Sequence, residues 1–138
     1  MKEINVEIVT PAKSAYTGKA TSVTVPGAAG SFQILFNHAP IISSLDIGLV
    51  KIVELDGKIL HFAASGGTVE VLENNVLLLV ESIELPEEID VKRAEEAKQR
   101  AKERLSINNT EKVDIVRAEA ALKRAVNRLK ISEKQLQK

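Results

Sequence analysis

The chain has 138 residues, 44% of them hydrophobic, and its 19 basic and 19 acidic side chains give a formal net charge of zero. It contains no cysteine, which excludes disulfides, thiol nucleophiles and cysteine metal sites, and its two histidines, His38 and His61, are too few for most sites built from histidine. The apolar runs are shorter than the roughly 20 residues that a membrane-spanning helix needs, and Met1-Lys2-Glu3 opens no signal segment. We therefore expect a cytoplasmic protein that meets a membrane only through partners.

The two parts of the chain differ in charge. Residues 1–88 hold 5 lysines and 11 acidic residues, whereas residues 89–138 hold 14 basic and 8 acidic residues, and all glycines lie before residue 68. This shift predicts a domain over residues 1–85 and a second over 86–138, with the boundary near Pro86.

The first part has the pattern of short β-strands. Residues 4–9 alternate apolar and polar side chains until their end, as a strand with one wet face does. Turn dipeptides separate similar runs and supply the positive φ that tight turns need: Pro26-Gly27, Asp56-Gly57, Gly66-Gly67 and Asn74-Asn75. The predicted strands are residues 4–9, 20–25, 31–35, 41–45, 49–55, 59–64, 68–72 and 76–83.

Eight or so short strands favour an antiparallel sandwich or flattened barrel. The uninterrupted apolar run from Val76 to Val80 is typical of a strand buried on both sides. So small a sandwich has a thin core, and its only aromatic residues are Tyr16, Phe32, Phe36 and Phe62.

After residue 88 the apolar period becomes that of a helix, which predicts helices over about 90–105 and 110–135, with Thr110 as an N-cap. Their apolar stripes are Ala94, Ala97, Ala101 and Leu105, and Ile115, Ala118, Leu122, Ala125 and Leu129. The short connection favours an antiparallel hairpin. Because alanine buries little area, we expect this hairpin to pack weakly and to be able to detach.

The two helices resemble each other in sequence. Residues 89–101 and 113–125 are identical at seven of thirteen positions. Either the hairpin contains a repeat or both copies share only helix-start chemistry, with an aspartate where the helix dipole favours it.

Arginines recur at helical spacing in both copies. Arg117, Arg124 and Arg128 project within about 40° of one another, and Arg93 and Arg100 align likewise. If the rows converge, they match phosphate oxygens. The alternative is a solvated face paired with Glu95, Glu96, Glu103 and Glu119.

Conventional catalysis has little support. The segment from Pro26 to Gly30 lacks the lysine of a phosphate-binding loop, and Glu87, Glu88 and Asp90 are explained by capping at a helix start. The hairpin has no aromatic side chain for base stacking, and its basic residues are interleaved with acids, which disfavours nucleic acid. We predict a chain that is not an enzyme and holds no covalent cofactor or metal.

The segment from Val25 to Pro40, VPGAAGSFQILFNHAP, resembles the signature of the ε subunit of F-type ATP synthases. Thr10-Pro11, Tyr16 with Gly18, Ser65 to Val71 and the tail from Ile89 agree in order. The resemblance implies a sandwich of about ten strands followed by a two-helix hairpin. It implies a rotor subunit at the foot of the central stalk, on the cytoplasmic face of the bacterial plasma membrane. Contacts with the γ subunit and the c-subunit ring are expected at Gly30, Ser31, Phe32, Phe36 and His38.

The same resemblance implies a regulatory nucleotide. Residues 89–94, IDVKRA, match an Ile/Leu-Asp-x-x-Arg-Ala motif with which some bacterial members bind ATP. The ATP-binding residues expected from this pattern are Glu84, Ile89, Asp90, Arg93, Ala94, Arg100, Arg124 and Arg128. Lys92 within the motif and Phe36-Asn37, where several relatives have Pro-Gly, depart from it.

Two functions are therefore expected from the resemblance: coupling of c-ring rotation to ATP synthesis through γ, and inhibition of ATP hydrolysis by a mobile hairpin whose basic second helix reaches the β subunits. The alternative is a free-standing adaptor that binds one protein through its sandwich and another through its basic arm.

Overall fold

The computed structural model describes residues 2–106 and 112–136, and the chain divides into two compact units, Met1–Leu85 and Pro86–Lys138. The first unit contains the strands β1 (Ile4–Val9), β2 (Ser14–Gly27), β3 (Gly30–Leu35), β4 (Ile41–Glu54), β5 (Ile59–Leu72), β6 (Asn75–Val80) and β7 (Ile83–Glu84). The second contains a 3₁₀ turn (Pro86–Glu88) and the helices α1 (Val91–Ser106) and α2 (Lys112–Leu136). The predicted N-cap, Thr110, lies outside the described residues.

The strands of the first unit form one sheet that closes on itself. Its order is β1-β6-β5-β4-β2-β3, β1 also pairs with β2, and β7 pairs with β5. β1 is antiparallel to β2 but parallel to β6, because no short turn constrains the relative direction of strands so distant in sequence. Ile4, Val6 and Ile8 are buried on one face of β1, as the alternation predicts. The predicted architecture of a strand-rich domain followed by two helices is confirmed.

The number of strands differs from the prediction. The described residues form seven strands rather than about ten, because β2, β4 and β5 each run for 14 residues. The predicted break at Gly66-Gly67 is wrong, since both residues lie inside β5 with φ of 103° and 149°. A Cβ on Gly67 would overlap the carbonyl oxygen of Leu79 and come within 2.8 Å of the Cα of Val80. These glycines therefore permit close approach of β6 and do not form a turn.

Two other turns are displaced from their predicted positions. Pro26-Gly27 is the end of β2, and the chain reverses at Ala28-Ala29. The turn predicted at Asn74-Asn75 lies one residue earlier, at Glu73-Asn74. φ is 48° at Glu73 and 63° at Asn74, and a type I′ turn requires positive φ at its two central residues. The turn at Asp56-Gly57 is confirmed, and the N–H of Lys58 donates to Asp56 Oδ1 at 2.9 Å.

The core of this unit is aliphatic, and its largest fully buried side chains include Ile4, Ile8, Ile34, Ile52 and Leu78. Phe62 is buried, whereas Phe36 is exposed and is not a core residue. The prediction that β6 is buried on both sides is also wrong. Val76, Leu78 and Val80 face the core, but Leu77 is only half-buried and Leu79 is exposed.

Candidate functional site

The second unit begins with a capped helix. The backbone N–H of Arg93 donates to Asp90 Oδ1 at 3.1 Å, and the N–H of Ala94 donates to the Asp90 carbonyl oxygen at 3.0 Å. Asp90 is therefore the N-cap of α1. Ile89 is buried just before it, and its N–H donates to the carbonyl oxygen of Pro86 in the preceding 3₁₀ turn at 3.3 Å. The IDVKRA segment thus has a local structural role whether or not it binds a ligand.

α1 and α2 pack along a seam of alanines. Ala94 and Ala101 of α1 and Ala118 and Ala125 of α2 are all buried. α2 contacts both α1 and the 3₁₀ turn that precedes it, so it runs back past the start of α1 and the pair is antiparallel. Of the other predicted stripe residues, Ala97, Leu105, Leu122 and Leu129 are half-buried and Ile115 is exposed. Small side chains at the seam let the two helix axes approach to about 8 Å.

Distance from the connection determines which residues of the two helices share a level. Ala101 lies five residues before Ser106, and Ala118 lies six residues after Lys112. Ala94 lies twelve residues before Ser106, and Ala125 lies thirteen residues after Lys112. The seam therefore consists of two layers, Ala94 with Ala125 and Ala101 with Ala118, which are about 10 Å apart along the axis at 1.5 Å per residue.

The arginines lie on one face of this hairpin. In each helix an arginine directly precedes each seam alanine, so its side chain points about 100° to one side of the seam. Because the helices are antiparallel, this 100° turn places the arginines of α1 and the arginines of α2 on the same side of the hairpin. Arg104 and Arg128 fall within about 20° of the rows on their own helices. All six arginines of the chain thus share one face: Arg93, Arg100, Arg104, Arg117, Arg124 and Arg128.

Most of this arginine face is accessible. Arg93, Arg100, Arg104, Arg117 and Arg124 are exposed, and Arg128 is half-buried. The five exposed guanidiniums form no ion pair with any residue that the structure describes. On α1 Glu96 lies three residues after Arg93 and four residues before Arg100, spacings at which helix side chains are neighbours, yet no ion pair joins them in the described part of the chain. The exposure of these arginines agrees with the solvated-face alternative, but the glutamate ion pairs that it includes are not found among the described side chains.

The arginines divide into two sets by level. We call Arg93, Arg124 and Arg128 the proximal set, because they lie beside the start of α1, and Arg100, Arg104 and Arg117 the distal set, because they lie toward the connection. Arg100 is one layer, about 10 Å, from Arg93, so of the predicted ATP-binding arginines it is the one that the helix geometry separates from the others. Arg104 and Arg117 were missing from that prediction. Helical spacing had already placed Arg117 in one row with Arg124 and Arg128, whereas Arg104 had not been assigned to a row.

The other predicted ATP-binding residues have different environments. Glu84 belongs to the first unit, where it is half-buried in β7 opposite Ala63 of β5. Ile89 and Ala94 have apolar side chains and are buried. Among the described residues no group of three histidines or carboxylates is placed to hold a metal ion.

The predicted partner-binding residues do not form one cluster. Gly30, Ser31 and Phe32 begin β3, whereas Phe36 and His38 follow its end, about 20 Å away at 3.3 Å per residue. Gly30 has φ of 131°, Ser31 is exposed and Phe32 is half-buried. His38 Nδ1 lies 2.7 Å from the Ala39 carbonyl oxygen.

An apolar outer surface lies on β4, β5 and β6, where none was predicted from the sequence. Glu70 of β5 pairs with Ile42 of β4 on one side and with Leu77 of β6 on the other. Leu72 lies two residues after Glu70 in β5 and therefore on the same face of the sheet. Ile42 is 73% exposed, Leu72 51% and Leu79 46%. We call Ile42, Leu72, Leu77 and Leu79 the outer apolar face. Its signal was the unbroken run from Val76 to Val80, whose alternate residues are apolar although they do not face the core.

Two family models match the two units in turn. The model of the ATP synthase Delta/Epsilon chain beta-sandwich domain matches residues 3–86, and that of its long alpha-helix domain matches residues 87–133. The chain belongs to the ATP synthase delta/epsilon family. It is thus an epsilon-type subunit of an enzyme complex. No helix of the described residues is long and apolar enough to cross a membrane.

Curated relatives agree with this membership. The ATP synthase epsilon chain of Salinibacter ruber is 42% identical over 111 residues, which cover 75% of this chain and 74% of the relative. That of Pelotomaculum thermopropionicum is 44% identical over 105 residues, covering 76% and 78%.

A solved structure extends the likeness to the fold. A chain in the Euglena gracilis mitochondrial ATP synthase, solved as OSCP/F1/c-ring, superposes with a TM-score of 0.79 at 18% identity, over 89% of this chain and 77% of that one. At this identity the likeness concerns the fold alone.

Proposed function

We propose that this delta/epsilon family member is a non-catalytic rotor subunit of the central stalk of a proton-translocating ATP synthase. In this role the first unit links the γ subunit to the c ring, and the hairpin regulates ATP hydrolysis in response to ATP. The subunit would lie on the cytoplasmic face of the bacterial membrane and reach the membrane only through the complex.

The outer apolar face supports the docking role. Exposed apolar side chains grouped on one surface are typical of protein interfaces, whereas scattered ones are ordinary. Ile42, Leu72 and Leu79 come from three neighbouring strands, so a rigid sheet presents them together. We assign this face to the γ subunit, and the segment with Phe36 and His38 to the c ring.

Co-purification with a tagged γ subunit tests the docking role. We expect Ile42→Glu with Leu79→Glu to abolish recovery of the chain, because each change replaces an apolar contact of the face with a further carboxylate near Glu70. Ile59→Glu is the matched control, since Ile59 is an exposed apolar residue of β5 at the opposite end of that strand. Recovery of the double variant at the parent level would contradict this assignment, and absence of parent binding to γ would favour the adaptor alternative.

The proximal arginine set supports ATP binding. Arg93 lies thirteen residues before Ser106 and Arg124 twelve after Lys112, so their Cα atoms are at the same level on opposite sides of the seam. The exposed guanidiniums of Arg93 and Arg124 make no ion pair with a described residue and repel one another, and a triphosphate relieves this repulsion through charge-assisted hydrogen bonds. Such a ligand bridges both helices and thereby stabilises the closed hairpin.

Calorimetric titration of the full chain with ATP tests this site. Arg93→Gln with Arg124→Gln should weaken binding at least about tenfold, the equivalent of about 1.4 kcal/mol. Lys102→Gln with Lys130→Gln removes the same charge from exposed positions about 120–180° away from Arg93 and Arg124 on the same two helices, and should bind like the parent. Equal affinity in the arginine variant and the parent would remove these residues from the site.

Regulation follows if ATP binds only the closed hairpin. Closed chains are then favoured by RT ln(1 + [ATP]/Kd), so ATP at concentrations well above Kd shifts the population even when affinity is modest. At low ATP the hairpin would open, and its basic α2 would reach the β subunits and block hydrolysis. ATP hydrolysis by the assembled complex should therefore be less inhibited when the hairpin is deleted after Leu85. Unchanged inhibition would contradict the regulatory role.

A further inference from the structure

Two turns at one end of the first unit are joined by hydrogen bonds between two asparagines. The backbone N–H of Asn37, in the turn after β3, donates to Asn74 Oδ1 at 2.7 Å, and Asn74 Nδ2 donates to Asn37 Oδ1 at 3.4 Å. Asn74 lies in the turn between β5 and β6, 37 residues away in sequence. We call this pair of hydrogen bonds the asparagine bridge.

The backbone of Asn74 is itself held by neighbouring strands. Its carbonyl oxygen accepts from the N–H of Asn5 in β1 at 2.8 Å, and Asn75 Nδ2 donates to the Glu73 carbonyl oxygen within the same turn at 3.1 Å. Asn74 is half-buried, and its φ is 63°. Because the barrel holds its backbone from two sides, the Asn74 side chain is a rigid anchor for whatever it binds.

The turn after β3 depends more on outside support. The N–H of His38 donates to the Leu35 carbonyl oxygen at 3.1 Å and closes a four-residue turn, whose third residue, Asn37, has φ of 64°. A type II turn, which has positive φ at its third residue, favours proline at the second position and glycine at the third. Phe36 does not fix its own φ as proline does, and Asn37 adopts positive φ less readily than glycine. The bridge to Asn74 therefore supplies order that these two residues do not.

The turn held in this way is the segment assigned above to the c ring. Phe36 is 37% exposed and directly precedes Asn37, and His38 directly follows it. A segment that spends only part of its time in the binding conformation loses affinity in proportion to that fraction. We infer that Asn74 is a positioning residue whose side chain holds the turn of Phe36, Asn37 and His38 in the conformation that docks. This inference rests on the proposed docking of that turn to the c ring.

Glycine at residue 74 separates positioning from turn formation. Asn74→Gly removes both hydrogen bonds of the bridge but adopts positive φ more readily than asparagine, so the turn between β5 and β6 should still form. Glu73→Gly is the matched control, because Glu73 is the preceding residue, also has positive φ, and its side chain takes no part in the bridge. Asn74→Asp is the conservative variant, since its carboxylate still accepts from the Asn37 N–H.

Hydrogen exchange of the full chain, followed by NMR, reports the bridge itself. The Asn37 amide should exchange at least about tenfold faster in Asn74→Gly than in the parent, because it loses its acceptor. Glu73→Gly and Asn74→Asp should leave its exchange within about twofold of the parent rate. An Asn37 amide that exchanged equally fast in the parent and in Asn74→Gly would overturn the inference.

Binding of the full chain to the purified c-subunit ring reports the consequence for docking. Asn74→Gly should raise Kd about fivefold, the effect of one hydrogen bond, whereas Glu73→Gly and Asn74→Asp should bind like the parent. An equal loss in Glu73→Gly would mean that any loosening of the turn weakens binding, and Asn74 would then have no positioning role.

Phe36→Ser distinguishes failure of this inference from failure of the docking proposal. If Phe36→Ser weakens binding to the ring but Asn74→Gly does not, docking stands and the positioning role of Asn74 is wrong. If the parent does not bind the ring, or if Phe36→Ser binds as tightly as the parent, the docking proposal fails. The positioning role would then fail with it, even where hydrogen exchange shows the asparagine bridge intact.

Discussion

Asp90 Oδ1 accepts a hydrogen bond from the backbone N–H of Arg93, so two residues of one sequence motif are joined by a helix cap and not through their charges. The cap accounts for the aspartate on structural grounds. Any role in ligand binding must be measured apart from this stabilisation.

Substitution of Asp90 separates the cap from the charge. Asp90→Ala should destabilise the hairpin by about 1 kcal/mol, because the N–H of Arg93 loses its acceptor. Asp90→Asn should leave the stability within about 0.5 kcal/mol, since asparagine caps helices as well as aspartate does. Urea unfolding followed by circular dichroism at 222 nm measures both. Equal losses in the two variants would show that the carboxylate charge matters more than the cap.

The alanine seam should not accept larger side chains. Ala118→Leu is expected to cost about 1–3 kcal/mol, because Ala118 is buried where the two helices approach closely. Glu119→Leu is the control, since Glu119 is the next residue and is exposed. Thermal unfolding compares them. A seam that tolerated leucine at residue 118 as well as at 119 would not be close-packed.

Gly67 should be irreplaceable in β5. Gly67→Ala places a methyl group against the Leu79 carbonyl and requires an L residue at φ of 149°. We expect a loss of about 3 kcal/mol or more. Gly57→Ala should cost about 1 kcal/mol, because Gly57 also has positive φ, 87°, but its Cβ would meet nothing within 4 Å. Similar losses at both positions in chemical denaturation would mean that φ alone, and not contact with β6, constrains Gly67.

Tyr16 should make the first unit sensitive to high pH. Its hydroxyl donates to Glu54 Oε2 at 2.8 Å, and its ring contacts Phe62 edge to face with centroids 5.8 Å apart. Burial, together with the hydrogen bond to Glu54 and that residue's negative charge, raises the pKa of Tyr16 far above its ordinary value. The pKa of Tyr16 is higher in the folded than in the unfolded chain. The stability that the protonated Tyr16 hydroxyl contributes is therefore complete below the unfolded pKa of about 10 and is lost as the pH rises above it.

The measurement compares the parent with Tyr16→Phe in thermal melts from pH 8 to pH 11. At pH 8 the variant should be less stable by about 1 kcal/mol for the lost hydrogen bond. The difference should shrink as the pH rises past 10, when the folded parent must either hold the proton or place a phenolate beside Glu54. The absence of a difference at pH 8 would mean that Tyr16 acts by packing alone, and a difference that did not shrink above pH 10 would contradict a raised pKa of Tyr16 in the folded protein.

Local chemistry determined much of this protein. Alternation in residues 4–9 is enough to place Ile4, Val6 and Ile8 in a core, since successive strand residues face opposite sides. Asp56-Gly57 is enough for a hairpin turn, since it supplies the conformation that the turn requires. The change from period two to period 3.6 after residue 88 likewise gives two helices with alanine stripes, because both patterns depend only on near neighbours in sequence.

Tertiary structure decided what near neighbours do not determine. Gly66-Gly67 has the composition of a turn, but the approach of β6 to Gly67 keeps it within one long strand. The run from Val76 to Val80 reads as wholly buried, but β6 has the core on only one side, which leaves Leu79 exposed on the outer apolar face. The arginine rows could have pointed apart, and it is the antiparallel pairing across the alanine seam that brings Arg93 level with Arg124 and Arg100 level with Arg117. Helical spacing orders side chains along one helix, whereas their grouping across two helices depends on how those helices pack.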